Sequence, residues 1–153
     1  MGNDSFLNEQ EEQSTPAVYG YAWIPEEESD KDDNSFGIQD QKLKAAGAEI
    51  IYTDVYTCAT SPRPNLARLM AVMKSGDTLI VTKLDRIARS VLEGSKLIKN
   101  IVERGIAVRV LNLGNRAIDQ SPEGLLMIDT MYSFVDLEQE LLSYNLFGKN
   151  SPQ

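Results

Sequence analysis

Four short runs rich in β-branched and aromatic residues recur along the chain, at Val18 to Ile24, Glu49 to Thr53, Thr78 to Lys83 and Ala107 to Asn112. The segments between them, Gln39 to Ala46, Pro64 to Lys74 and Val91 to Arg104, have helical periodicity. This βαβαβαβ alternation predicts an α/β domain of three layers, with a mostly parallel four-stranded sheet covered by helices on both faces. Local signals agree with these limits. Pro64 suits a first helical turn, Gly76 and Asp77 mark the step into the third strand, and Gly105 follows the third helix where a C-terminal glycine belongs. Ser90 and Glu93 form a capping-box pattern. A last segment, Pro122 to about Tyr144, places Leu125, Leu126, Ile128, Met131, Phe134 and Val135, then Leu141 and Leu142, at mostly three- and four-residue steps, which predicts a long amphipathic helix. It has more apolar surface than one edge of a small sheet needs, so packing on its own domain and service as a dimer interface are both open.

With 153 residues and 42% hydrophobic content, the chain fits one domain with a single core. No apolar run approaches the roughly 18 residues of a membrane span, and the start MGNDSFLNEQEEQ is acidic rather than basic and apolar, so a cytoplasmic protein is expected. The one cysteine, Cys58, has no internal disulfide partner, and without histidine a zinc site has too few ligands. Neither a metal nor a cofactor is expected. The net charge of −8 is unevenly placed, because residues 1–38 hold ten acids and one lysine, leaving fourteen bases against thirteen acids in the remainder. Nothing supplies the bulk basic footprint of a DNA-binding protein, although Lys83, Arg86 and Arg89 are close enough for a local patch. Residues 1–17 read as a disordered acidic tail, residues 18–145 as the folded domain, and residues 146–153 as a short tail without a helix-turn-helix domain. The acidic stretch PEEESDKDDNSFGI after Ile24 reads as a solvated loop; it lacks the ligand spacing of a calcium loop.

The stretch Val81-Thr82-Lys83-Leu84-Asp85-Arg86-Ile87-Ala88-Arg89-Ser90 carries the strongest chemical signal. It lies at the carboxyl end of the third strand, the edge at which open α/β sheets bind ligands. Arg86 and Arg89, three residues apart beside a helix start, are suited to clamp a phosphate and to stabilise the charge of phosphoryl transfer.

Lys83 to Ser90 is similar to the KLDRLGRS signature of the small serine recombinases of the resolvase/invertase type. Other blocks fall into register with it. Tyr19-Gly20-Tyr21-Ala22 resembles the family's GYAR start, Gln39 to Gly47 its first helix, and Thr53-Asp54 through Arg63-Pro64 its TDxxSG…RP segment. Gly76 to Leu79, Glu103 to Ile106 and Pro122 to Leu126 match later family blocks. The resemblance implies a resolvase-like fold that dimerises through the long helix, and DNA cleavage by a serine hydroxyl through a phosphoserine link, with no cofactor. It places Arg63, Asp85, Arg86 and Arg89 at the family's retained site positions.

Several positions depart from the pattern. Where the family's first strand ends YARVS, with an arginine that helps to bind the phosphate and a nucleophilic serine, this chain has Tyr21-Ala22-Trp23-Ile24-Pro25. Proline has no hydroxyl to attack with, and an indole carries no guanidinium charge. The family's SG pair becomes Thr57-Cys58, and its ER…ER pattern in the long helix becomes Glu138-Gln139 and Tyr144-Asn145. Ser29 and Ser35 sit in the acidic loop, where carboxylates repel a phosphodiester; Thr57 and Cys58 are better placed relative to Arg63. The expectation is a recombinase-fold protein that does not cut DNA. It would act as a homodimer, or as a heterodimer with an intact recombinase, through helix 122–145, with weak, salt-dependent DNA binding. The rivals are an active subunit with a displaced nucleophile and a decayed remnant of a mobile element.

Overall fold

A computed structural model describes residues 15–27, 33–58 and 60–148. The strands β1 (Val18–Pro25), β2 (Ile50–Tyr56), β3 (Thr78–Val81) and β4 (Ala107–Val110) form one sheet in the order β2-β1-β3-β4, and every pairing is parallel. Between them run α1 (Phe36–Ala45), α2 (Pro64–Val72) and α3 (Val91–Glu103), and α4 (Pro122–Gly148) follows β4.

The pleat sorts the core into two faces. Tyr21 and Trp23 of β1, Leu79 and Val81 of β3, and Val108 and Val110 of β4 point to the face that packs against Leu69 of α2, Ile98 and Ile101 of α3, and Ile128 and Met131 of α4. Ala22 and Ile24 of β1 and Ile80 of β3 meet Leu43 of α1 on the other. The expected three layers are present, with α1 the α-helix of the described residues on that side.

Several boundaries move. The first helix starts at Phe36 rather than Gln39, because Ser35 caps it by accepting from Ile38 N at 3.4 Å. β2 continues past Thr53 to Tyr56 because β1 extends beside it, pairing Pro25 with Tyr56. β3 ends at Val81, and a short 3-10 turn, Leu84–Arg86, fills the interval before α3. Gly94 of α3 admits that turn: a Cβ there would lie 2.9 Å from Leu84 Cδ1. Ser90 caps α3 as expected, accepting from Glu93 N at 3.1 Å, while Glu93 returns a carboxylate to Arg89 N at 3.1 Å. α4 runs on to Gly148, beyond Tyr144. Among the described residues, no helix is long and apolar enough to cross a membrane. Most of the acidic tail, residues 1–14, and Ser29 lie outside the described residues.

Proline at the end of β1 costs the sheet nothing. Ala17 O accepts from Thr78 N beside β3, whereas Val18 O accepts from Glu49 N and Glu26 N donates to Tyr56 O on the β2 side. Odd-numbered residues of β1 therefore turn their backbone groups towards β3, which pairs with β1 only as far as Gly20. The amide hydrogen that Pro25 lacks would have pointed where no strand remains to accept it.

Candidate functional site

The carboxyl ends of β1 and β2, the N-terminus of α2 and the turn before α3 converge on Trp23. This residue is 5% exposed, and its ring lies 4.4 Å from that of Tyr56. The Arg63 guanidinium sits 3.9 Å from the centre of the indole, and that of Arg86 lies 5.8 Å away. Both cations therefore rest on an aromatic surface, a favourable placement for a partly desolvated charge.

The two arginines are held differently. Arg86 is 5% exposed; its Nη1 donates to Trp23 O at 2.9 Å and to the Tyr56 hydroxyl at 3.4 Å, and its Nε pairs with Asp85 at 3.0 Å. Burial disfavours its charge, but the Asp85 and Tyr56 bonds outweigh that and raise its pKa above that of a free guanidinium. Arg63, half-buried at the N-cap of α2, donates Nη1 to Ile87 O at 2.6 Å, while its Nε and Nη2 are buried without a hydrogen-bond partner. Burial lowers its pKa, with opposing contributions from Tyr21 and Glu93. Together with exposed Arg89, Arg63 lines a cavity of about 290 Å³ that also includes Ser61, Ile87 and Glu93.

The sequence pattern paired Arg86 with Arg89. The structure instead turns Arg86 into the protein and brings Arg63 and Arg89 to one opening. Asp85 stays exposed as the partner of Arg86. The local basic patch does not assemble either, because Lys83 lines a separate cavity with Lys42 and Asn112. Pro25 is half-buried at the end of β1. Ser35 is buried as a helix cap, not presented to the cavity. Ser61 is likewise engaged, its Oγ accepting from Thr57 N and Cys58 N at 3.1 and 3.2 Å. Among the described residues, no group of histidine, cysteine, aspartate or glutamate side chains could hold a metal ion.

Two residues that the sequence reading gave no role, Gln39 and Asp54, frame this site. Gln39, fully buried, donates Nε2 to Trp23 O at 2.9 Å and also to Asn34 O, so the Trp23 carbonyl receives both Gln39 and Arg86. Its signal was a polar residue four positions before Leu43 on the buried face of α1. Asp54, buried in β2, accepts from Asn65 N and Leu66 N at 3.0 and 2.9 Å, capping α2 from a distance, and from the Tyr21 hydroxyl at 2.9 Å. Burial first, and then this bond, push the Tyr21 pKa well up, so that it remains a donor. No local pattern marks Asp54, because its partners are distant in sequence.

Cys58 stands exposed on the turn after β2, and hydrogen bonds from Thr60 and then Ser61 pull its thiol down to about 7. Alkylation by iodoacetamide is therefore expected to reach half its limiting rate near pH 7, since the thiolate is the reacting form. Thr60→Val should move that midpoint towards the free-thiol value of about 8.5. A native midpoint already at that value would show that the bonds do not form.

The family model described as the resolvase N-terminal domain matches residues 18–146. The serine recombinase PinR of Escherichia coli (strain K12) is 40% identical over 86 residues, which is 56% of this chain and 43% of that protein. The serine recombinase gin of Escherichia phage Mu is 35% identical over 111 residues, or 72% of this chain and 56% of that protein. The chain spans about half the length of the curated relatives it matches. Among solved structures, the N-terminal catalytic domain of TP901-1 integrase superposes with a TM-score of 0.64 at 25% identity, covering 82% of this chain and 98% of that one. A resolvase family site-specific recombinase from Streptococcus pneumoniae, at 17% identity and a TM-score of 0.56, shares the fold.

Proposed function

Since this chain belongs to the family of the resolvase N-terminal domain, we propose that it acts in DNA recombination without cutting DNA, as a partner or regulator that associates through α4. The observation that carries this reading is the end of β1. There Pro25 offers no hydroxyl, and Trp23 fills the space beneath Arg63 and Arg86 with an indole. Covalent attack on a phosphodiester needs an activated oxygen, sulfur or nitrogen in reach of the phosphorus, and a pyrrolidine ring has none free. Arg63, Asp85, Arg86 and Arg89 stand at retained family positions, but two of their guanidiniums are committed to the protein's own indole.

Purified protein incubated with supercoiled DNA carrying recombination sites should leave it un-nicked, and denaturing gels should show no protein joined to DNA. Either nicking or a covalent adduct would sink the proposal. Binding to DNA, where it occurs, should be weak and fall steeply with salt, because the folded part has almost equal numbers of bases and acids.

A second reading, an active subunit with a displaced nucleophile, is favoured by one feature: Arg63 and Arg89 face an open cavity, and the Arg63 Nε and Nη2 groups are unpartnered. In that case Arg89→Ala would abolish strand exchange while leaving the fold intact. Under the inactive reading there is no strand exchange to lose.

A further inference from the structure

The long helix carries two apolar stripes on opposite sides. Gly124, Ile128, Met131 and Val135, spaced four, three and four, are buried against the domain. Leu126, Phe134, Leu137, Leu141 and Tyr144, spaced eight, three, four and three, lie at about 100° per residue on the face turned away. Every one is at least half exposed, Leu126 at 66% and Tyr144 at 73%. The core covers one stripe as far as Val135, beyond which Leu142 on the same side is 56% exposed; the other has no cover among the described residues.

The charges beside the second stripe indicate what covers it. α4 holds five acids, Glu123, Asp129, Asp136, Glu138 and Glu140, and no lysine or arginine. At the helical repeat, Asp129, Asp136 and Glu140 fall along one flank of the stripe and Glu138 along the other. All four are exposed. Two copies joined face to face would bring acidic rims together around a desolvating apolar strip, the arrangement by which flanking charges reject a partner.

We propose that the outward face of α4 selects a protein partner presenting an apolar helix stripe flanked by lysine or arginine, in preference to a second copy of this chain. This inference rests on the reading of α4 as the association surface and adds the choice of partner. Apolar burial supplies the affinity, while the rim sets which partner is accepted and how fast it docks.

The test uses the full chain and a charge-reversed full chain carrying Asp129→Lys, Asp136→Lys, Glu138→Lys and Glu140→Lys, with folding checked by circular dichroism. Sedimentation is run at ionic strengths of about 0.05 M and about 1 M, where the Debye length falls from well over 10 Å to about 3 Å. At low salt the native chain should pair with the charge-reversed chain at least about tenfold more tightly than with itself, a gap equal to one decade in Kd. The gap should close at high salt, and Leu137→Asp with Leu141→Asp should remove the pairing. If the native chain self-associates as tightly as it pairs with the reversed one, and Leu137→Asp with Leu141→Asp breaks both, the occupant is a second copy. That result overturns the selectivity and leaves α4-mediated association standing. If no combination associates, or if association survives those two substitutions, both the inference and the reading beneath it fail.

Discussion

Arg86→Ala is expected to lower stability by about 3 kcal/mol, whereas Arg89→Ala should change it by less than about 0.5 kcal/mol. The two arginines sit three residues apart in one motif, yet their surroundings are opposite. Arg86 is buried and supplies hydrogen bonds to Trp23 O and Asp85. Buried bonds involving a charged group contribute about 1.5–3 kcal/mol each, and the truncation also leaves a cavity beside Trp23 and Tyr56. Gln39 would still serve the Trp23 carbonyl, which keeps the loss from being larger. The Arg89 side chain is exposed, and among the described residues its hydrogen bond is made by the backbone amide, to Glu93. Thermal unfolding should show a fall of roughly 10 °C for the first variant and little for the second, given about 2–4 °C per kcal/mol at this chain length. Equal losses would mean that Arg86 is not the architectural member of the pair. Arg86→Lys should fall between, since an ammonium keeps the charge but lacks the planar fork that reaches the Trp23 carbonyl and Asp85 together.

Trp23→Ala is expected to cost more, about 4–5 kcal/mol. Truncation of a buried tryptophan alone removes about 3–5 kcal/mol, and here it also strips the surface on which Arg63 lies at 3.9 Å. Arg63 would then lose its aromatic surface, while Arg86 would keep only the Tyr56 ring, 5.6 Å away. Trp23→Phe should recover most of the loss, because the ring packing against Tyr56 survives. Trp23→Arg should be at least as damaging as alanine, since it adds a third cation beside Arg63 and Arg86, and inorganic phosphate should partly restore its melting temperature by neutralising the cluster. As the chain has one tryptophan, its fluorescence reports this site directly in the native protein. A cost below about 1 kcal/mol for Trp23→Ala would show that the indole is not what holds the arginines.

Under the proposed non-cutting reading, Arg63 and Arg86 have a structural use of their own. A guanidinium that neutralises a phosphate in one context can stabilise a fold in another, provided that something replaces the anion. Here the replacements are an indole face, the Trp23 carbonyl and Asp85. Arg63 and Arg86 therefore fit the proposed reading without a phosphate to bind.

How much of this was legible beforehand follows from the range of each interaction. Strand and helix alternation, the Pro64 start of α2, the Ser90 cap of α3 and the presence of a long terminal helix are local patterns, set by periods of two and 3.6 residues and by unsatisfied helix-end amides. The sequence by itself determined these, together with the absence of a hydroxyl at Pro25. Only the tertiary structure decided that Arg86 turns inward while Arg63 joins Arg89, that Gln39 and Asp54 hold the site from α1 and β2, and that α4 has two opposed apolar faces of which the core uses one. The Arg86 bond to Trp23 spans 63 residues, Tyr21 to Asp54 spans 33 and Arg63 to Ile87 spans 24. Closing such distances depends on which strands neighbour one another and where each stops. β3 ends four residues short of Pro25's own level in the sheet, and it is the gap left there that the Arg86 guanidinium enters.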